Sequence, residues 1–530
     1  MKDTSPKAEN ILIFILKILD RYYKRIVLVG LAMTVWFAVF AHAAHDLWAA
    51  STVFLWWTFL FFVFCLGRCR DKIPVKLPLA CPSLLFLASL ILSSLHSYDL
   101  DTSRLEIWGW SFTFLSFYLL TNSAENERDL NLFFTLAGMV ILPLFVICAW
   151  ERLTIQPDAW GRREIHATLI NSIILAGFTL YWLLFFWNKT LENRRYLILS
   201  LACVGVLLIA QSWWAFASIT LGYLLYYRKP IAQLEARYRK TMFMTIITTL
   251  SLLGWLVSYK LRIHVGPYFE MSRFSYWLSA LRMWRQNTWT GVGIGGYPTA
   301  FPFFKVGQVQ STLFAHSFPL ELLSETGIVG VIATVLFVWS YLKLIAKKRT
   351  SAKTGPPTRV YLMTLVVVLF FSAINFNMEY LLNKFMLLIM IGATLLETDL
   401  PTYPIKPIWM VTMGLSLLLI IPLWINLFEA SRLYVTGLSF EQQGNTVKAE
   451  QLYKDAISTD ASHADSYWAL SRIYRKMYEK THSHTALANA CEYLRQAIRY
   501  KKDTRYLNDL KQYNNIIRAS SGQRASDPQP

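Results

Sequence analysis

"LILSLACVGVLLIAQSWWAFASITLGYLLYY", Leu197 to Tyr227, carries no charged side chain from end to end. About 20 apolar residues cross the hydrocarbon core of a bilayer, and the run lacks the polar–apolar alternation of a barrel strand. In lipid a chain must close its backbone hydrogen bonds internally, so the stretch is helical. It forms either two short helices meeting at Gln211-Ser212 or one long kinked helix. Windows of the same kind recur over most of the 530 residues, which are 55% hydrophobic with a mean hydropathy of +0.36. That composition excludes an ordinary soluble fold. The fold class is an all-α polytopic membrane protein.

Spans are expected near 26–44, 49–67, 77–96, 105–121, 131–150, 167–187, 196–211, 213–227, 242–259, 317–342, 360–377, 381–397 and 407–427, twelve or thirteen in all. The net charge of +19 would point to nucleic acid in a soluble chain, but here basic loops account for much of it. Lys17, Arg21, Lys24 and Arg25 precede the first span. "GRCRDKIPVK" follows the second, "RKPIAQLEARYRK" the eighth and "KLIAKKRTSAKTGPPTR" the tenth. With thirteen spans all four fall on one side, which the positive-inside rule makes the cytoplasm. "SYDLDTSR" then faces outward. "TNSAENERDLN" faces inward despite its acidity, because acidic residues count for little in the rule. Residues 1–25 form a cytoplasmic N-terminus and its first span is retained rather than cleaved. Cys65 and Cys69 have the spacing CxxxC with no second pair and no nearby histidine, which argues against zinc.

Two regions fall outside this pattern: an external loop, 260–315, within the membrane domain 26–430, and a tail from 431. In the tail, Gly437, Phe440, Gly444, Ala449, Tyr453 and Ala456 stand where a tetratricopeptide unit places its small and aromatic packing residues. A second, weaker unit, "ADSYWALSRIYRKMYEK … ACEYLRQAIRY", carries extra residues between its helices, and the repeats are expected to end near 512. Residues 513–530, closing on "SSGQRASDPQP", read as disordered. Two units are fewer than a free solenoid needs, so the tail is expected to pack on the last span or on a protein partner.

The external loop carries "FEMSRFSYWLSALRMWRQNTWTGVGIGG", Phe269 to Gly296. Trp277, Leu281 and Trp284 recur at helical spacing and form one apolar face suited to the membrane interface. Arg273, Arg282 and Arg285 share that helix; arginines there either anchor it by snorkelling or grip a phosphate through paired hydrogen bonds. "TGVGIGGYP" lacks the strand–helix setting of a nucleotide-binding glycine loop. It reads as a tight turn whose amides are open to an anionic group. His316 follows in "FAHSFPLELLSETGIVG". A neutral imidazole there can take a proton from a hydroxyl, whereas a lone helix-end histidine is ordinarily structural. Glu321 and Glu325, inside the next span, require partners.

Arg273, Trp277, "GVGIGGY", and His316-Ser317 followed after nine residues by Gly327 and then Gly330 together resemble the signature of the O-antigen ligase superfamily. The resemblance covers roughly residues 10–430. It implies a membrane glycosyltransferase of the GT-C type that takes a glycan from an undecaprenyl-diphosphate carrier in the bacterial inner membrane, with the long loop and the tail in the periplasm. It gives His316 the role of base and Arg273 a contact to the diphosphate, with no metal and no cofactor. Arg282 and Arg285 are further candidates for the diphosphate. Transfer with inversion at the anomeric centre follows. The acceptor is lipid A-core, another glycan (a polymerase) or an exported protein. One departure stands out: relatives carry "SRG" between the two short middle helices, and this chain has "QSWWAFAS" with Trp213 or Trp214 in place of the arginine. Arg282, Arg285, Arg262 or the pair Arg162-Arg163 are candidate substitutes. Two other classes compete, a transporter of lipid-linked sugars, which should show inverted halves, and an inactive scaffold built on the repeats.

Overall fold

The computed structural model describes residues 6–71, 74–155, 165, 167–226, 268–350, 356–396, 400, 402–403 and 407–520. The expected span 242–259 and the candidate substitutes Arg162, Arg163 and Arg262 lie outside the described residues, as does the side chain of Trp213.

The described residues are helical almost throughout, as the run lengths require. The membrane part comprises α1 (Pro6–Phe40), α2 (Leu47–Asp71), α3 (Ala80–Ser94), α4 (Leu100–Ser123), α5 (Glu127–Gly138) and α6 (Ile141–Thr154). It continues with α7 (Ser172–Glu192), α8 (Leu197–Ile209), α9 (Trp213–Tyr226), α10 (Tyr268–Gln286) and α11 (Tyr297–Phe304). Then come α12 (Phe318–Thr350), α13 (Pro356–Ala373), α14 (Leu381–Thr394) and α15 (Pro407–Gln442). Among the described residues five segments are long and apolar enough to cross a membrane: Tyr22–Phe40, Leu47–Arg68, Glu127–Thr154, Ser172–Glu192 and Phe318–Lys348. Ala80–Ser94, Thr358–Ala373 and Leu381–Thr394 are shorter apolar helices. From Leu197 to Tyr226 the run is two helices, divided where Gln211 adopts φ +53°.

α7 and α14 are the centre of the bundle. Every residue from Ile174 to Phe186, and from Leu382 to Thr394, is buried. A helix that is apolar on all sides belongs inside a larger packing, and the Tyr181 hydroxyl donates to the Asn383 carbonyl at 3.1 Å across the pair.

The two ends of the bundle differ in charge and content. One end gathers Lys24 against Glu125, Arg68 on the Asn122 carbonyl, and Lys348 on the carbonyls of Thr394 and Leu396. A two-residue antiparallel pairing of Val75-Lys76 with Thr402-Tyr403 closes this end. The opposite end gathers the α1–α2 turn, the α3–α4 turn, the segment from α10 to the start of α12, and the α13–α14 turn.

The tail stands on this second end. α15 is one helix that leaves the bundle and pairs with α16 (Thr446–Thr459); α17 (Ala464–Thr481) pairs with α18 (His484–Tyr500) and α19 (Thr504–Ser520) follows. Gly437 lies against the ring of Tyr453, where any side chain would collide. Ala449 and Tyr453 join Ala469, Leu470 and Ile473 in a small core of their own. Helix persists to Ser520, past residue 512, where the sequence reading ends the repeats.

Candidate functional site

The site is organised by a break in α12. Gly327 adopts φ +62° and ψ −162°, a conformation essentially restricted to glycine. The break exposes carbonyls and amides that a continuous helix would pair internally, and the glycine turn between α10 and α11 fills them. Val292 N donates to Ser324 O (2.9 Å) and Gly293 N to Glu325 O (3.0 Å). In the other direction Ile328 N donates to Thr288 O (2.9 Å) and Val329 N to Trp289 O (3.2 Å). Gly291, at φ +68°, passes so close to the Glu325 backbone that a side chain there would strike it.

This corrects the expectation that the turn's amides await an anion. Val292 and Gly293 are spent on α12, Gly291 N bonds Asn287 O, and Gly296 N bonds Gly293 O.

The two carboxylates of α12 act as clamps. Glu325 accepts from Tyr297 N at 3.0 Å, and Glu321, one helical turn earlier, accepts from Ala315 N at 3.2 Å. Both are almost completely buried. Their electrostatic neighbours include Glu379 and Glu106, and Glu106 forms an ion pair with the buried Lys384 of α14. Removing one member of a buried pair strands its partner's charge, at a cost of about 3–5 kcal/mol. Lys384→Met should therefore lower the melting temperature in detergent markedly, and adding Glu106→Gln should recover much of the loss. Additive losses in the double variant would refute the pairing.

Glu321 thereby holds the backbone that presents His316, itself at φ +57°. The imidazole lies between Tyr276 of α10, stacked at 5.5 Å and 18°, and Phe376 of the α13–α14 turn, edge-on at 4.7 Å. Tyr297 supports this sandwich from behind, its hydroxyl donating to the Tyr276 carbonyl at 3.2 Å. Burial, with the nearby Arg273 guanidinium adding to it, pushes His316 down to about 4. The ring is neutral at neutral pH and able to accept a proton.

Of the three candidate arginines the structure brings only Arg273 to His316. It is half-buried and donates to the Ile374 carbonyl at 3.3 Å, beside Phe376. Arg282 and Arg285 are exposed further along α10. The helix turns a different stripe inward from the one its tryptophans suggest: Tyr276, Ala280 and Met283 are buried, while Leu281 is exposed and Trp277 and Trp284 are half-buried. Trp214, at 44% exposure, lies on the surface of α9.

Four groups at this end escape a reading by local motif. Glu106 and Lys384 are separated by 278 positions. Glu379 is pushed up to about 7 by burial, against the pull of Lys384. His45 packs its ring against Tyr380 at 5.0 Å after a turn, His42–Ala44, in which three successive non-glycine residues have positive φ. The available signal was the rule that charge at membrane depth is paired or functional.

A family model described as O-antigen ligase matches residues 167–335, a stretch that includes α7, the glycine turn, His316 and the break at Gly327. Neither the curated proteins nor the solved structures provide a match.

Proposed function

We propose, from the premise that the chain belongs to the O-antigen ligase/polymerase superfamily, that it transfers a glycan from an undecaprenyl-diphosphate carrier to an acceptor hydroxyl, with His316 as base. The observation that carries this reading is the neutral His316 imidazole held between two rings beside Arg273.

In the step proposed, the acceptor oxygen attacks the anomeric carbon, and its proton passes to His316. The bond from that carbon to the diphosphate oxygen breaks, and the lipid diphosphate leaves with the electron pair. Arg273 balances the charge that develops on the leaving oxygen, an electrostatic contribution worth roughly 10²–10³-fold when one such donor is removed. Attack opposite the diphosphate inverts the centre. The aromatic walls limit the access of water to His316, and a lower local dielectric strengthens the Arg273 charge effect.

The basic end, with Lys24, Arg68 and Lys348, is assigned to the cytoplasm by the positive-inside rule. The site and the tail are then periplasmic, where carrier-linked glycan and an exported acceptor meet. The docked tail favours an acceptor of some size, a growing glycan or an exported protein, over reaction at lipid A-core alone.

Purified full-length protein in proteoliposomes, given carrier-linked glycan and each acceptor in turn, tests the reading. Transfer with release of undecaprenyl diphosphate supports it. Movement of the carrier across the vesicle without bond cleavage would replace it with transport.

Arg273→Ala should lower kcat/KM for the donor by roughly 10²–10³-fold. Arg282→Ala and Arg285→Ala, which remove exposed charges worth about 1 kcal/mol or less, should stay within roughly fivefold of the parent. Equal losses at all three positions would mean that the diphosphate lies along the outer face of α10 rather than beside His316.

A further inference from the structure

The tail is tied to the site end by a buried and directional set of bonds. The α3–α4 turn and the α18–α19 turn form an antiparallel bridge between Asp99 and Lys501. Lys502 N donates to Tyr98 O at 2.8 Å, and the Lys502 ammonium lies 4.6 Å from the centre of the Tyr98 ring. The Lys501 ammonium reaches Asp99 Oδ2 at 3.2 Å and Asp465 at 3.5 Å. The Asp99 carboxylate is only 5% exposed. A second clasp joins Arg104 to both Asp101 (2.7 Å) and Asp460 (2.9 Å).

Asp99 also faces the membrane domain. Its Oδ2 accepts from Thr299 Oγ1 at 3.1 Å, its Oδ1 caps α4 by accepting from Thr102 N at 3.2 Å, and the neighbouring Tyr98 N donates to Val292 O at 2.9 Å. Thr299 and Tyr297 share the short helix α11. Tyr297 N is held by Glu325, and its hydroxyl holds the backbone of Tyr276, whose ring stacks on His316. An unbroken sequence of named bonds and ring contacts therefore runs from the tail to the imidazole.

We propose that Lys501 is a positioning residue: through Asp99 it fixes the glycine turn and α11, and so the orientation of Tyr276 and His316. The repeats are then a working part of the site as well as a platform beside it. Lys501 is suited to the task because one ammonium bridges two carboxylates, Asp99 of the membrane domain and Asp465 of the tail. Its catalytic consequence rests on the transfer reading above; its structural consequence does not.

The experiment uses full-length protein in nanodiscs and four variants: Lys501→Met, Lys501→Arg, Asp99→Asn and Arg495→Met, the last an exposed position on α18. Three readouts run in parallel, the first being the melting temperature. Hydrogen–deuterium exchange follows the peptide covering 291–300, and glycan transfer from the carrier gives kcat and KM.

Lys501→Met should raise exchange at Val292, Gly293 and Tyr297. It should lower kcat roughly 10- to 100-fold, the scale of a displaced reacting group, with KM for the donor within twofold. Lys501→Arg should retain most of both, Asp99→Asn should reproduce the loss, and Arg495→Met should leave both at the parental values. Unchanged exchange and unchanged kcat in Lys501→Met would overturn the proposal. So would a loss that the arginine variant fails to rescue while the melting temperature falls, since that is a stability effect alone. Altered exchange in Lys501→Met, with a parent that transfers no glycan, would uphold the positioning role and refute the transfer reading.

Discussion

Replacing His316 by alanine should reduce glycan transfer by roughly 10²- to 10⁴-fold, the range expected for loss of one positioned base, with the folded yield preserved. The ring's Nδ1 makes no hydrogen bond, so its removal strands no partner and the main structural loss is the contact with Tyr276 and Phe376. His316→Asn keeps much of that contact and should be nearly as inactive. Transfer at the parental rate in either variant would remove His316 from the mechanism.

The pH dependence follows from the same surroundings. His316 is pushed down to about 4 by burial first and Arg273 second, so it is in the accepting form throughout the neutral range. The acid limb of kcat/KM, which reports the free enzyme, should fall near pH 4. An anion paired with Arg273 offsets that arginine's effect, so the acid limb of kcat, which reports the bound complex, should lie higher. For stability the sign is that of a histidine depressed on folding. Between about 6.5, the ordinary imidazole value, and about 4, the unfolded chain binds a proton that the folded chain refuses, and stability declines as pH falls through this window.

Gly327→Ala is the second substitution with a large expected effect. Its backbone geometry is one that only glycine tolerates, a penalty of about 1–3 kcal/mol for any other residue, and the added carbon would strike the Trp289 backbone. Relief of that clash would push the glycine turn away from α12 and break the four backbone bonds across the α12 break. Folded monomer in detergent should fall steeply, and whatever remains should be inactive. Gly444→Ala is the control: φ there is also positive, at +82°, but a side chain would meet open space, so only the backbone penalty applies. Equal melting temperatures for Gly327→Ala and the parent would show that the break does not hold the site together.

Much of this architecture was legible before the structure, and for a definite reason. Hydropathy over windows of bilayer length is a strong signal: it located the N-terminal ends of α2 and α12 to within two residues, and it placed α7 five residues early. The polar step Gln211-Ser212 marked the division of α8 from α9. The inward face of α10 was not legible, because two neighbouring stripes compete. Trp277, Leu281 and Trp284 are as apolar as Tyr276, Ala280 and Met283, and a bilayer accepts the bulky stripe as readily as a protein core does. The fate of the glycine turn was hidden for a related reason. Its amides look available to an anion only while the break in α12 is unknown, and a glycine's left-handed backbone leaves no mark in hydropathy. The pairing of Glu106 with Lys384, and of Asp99 with Lys501, joins residues hundreds of positions apart, beyond the reach of any local pattern. The resemblance singled out His316 and Arg273 as candidates, and only the fold shows that Arg273, rather than the exposed Arg282 or Arg285, lies near His316.

The clamps on α12 also bear on how the chain is made. A segment with two carboxylates in its first turns is a poor candidate for entering lipid by itself. Among the described residues, the groups that bond the Glu321 and Glu325 carboxylates or fill the break at Gly327 precede the segment they serve or lie within it: Thr288, Trp289, Val292, Gly293, Tyr297 and Ala315, joined by Ser93, whose hydroxyl donates to the Glu325 carbonyl at 2.7 Å. A ribosome working from the N-terminus has therefore already delivered the receiving surface when Glu321 emerges. Phe376 and Lys384 are synthesised later and the Lys501 strap later still. The order of synthesis thus runs from the seat of the site, through the wall behind His316, to the fastening outside the bilayer.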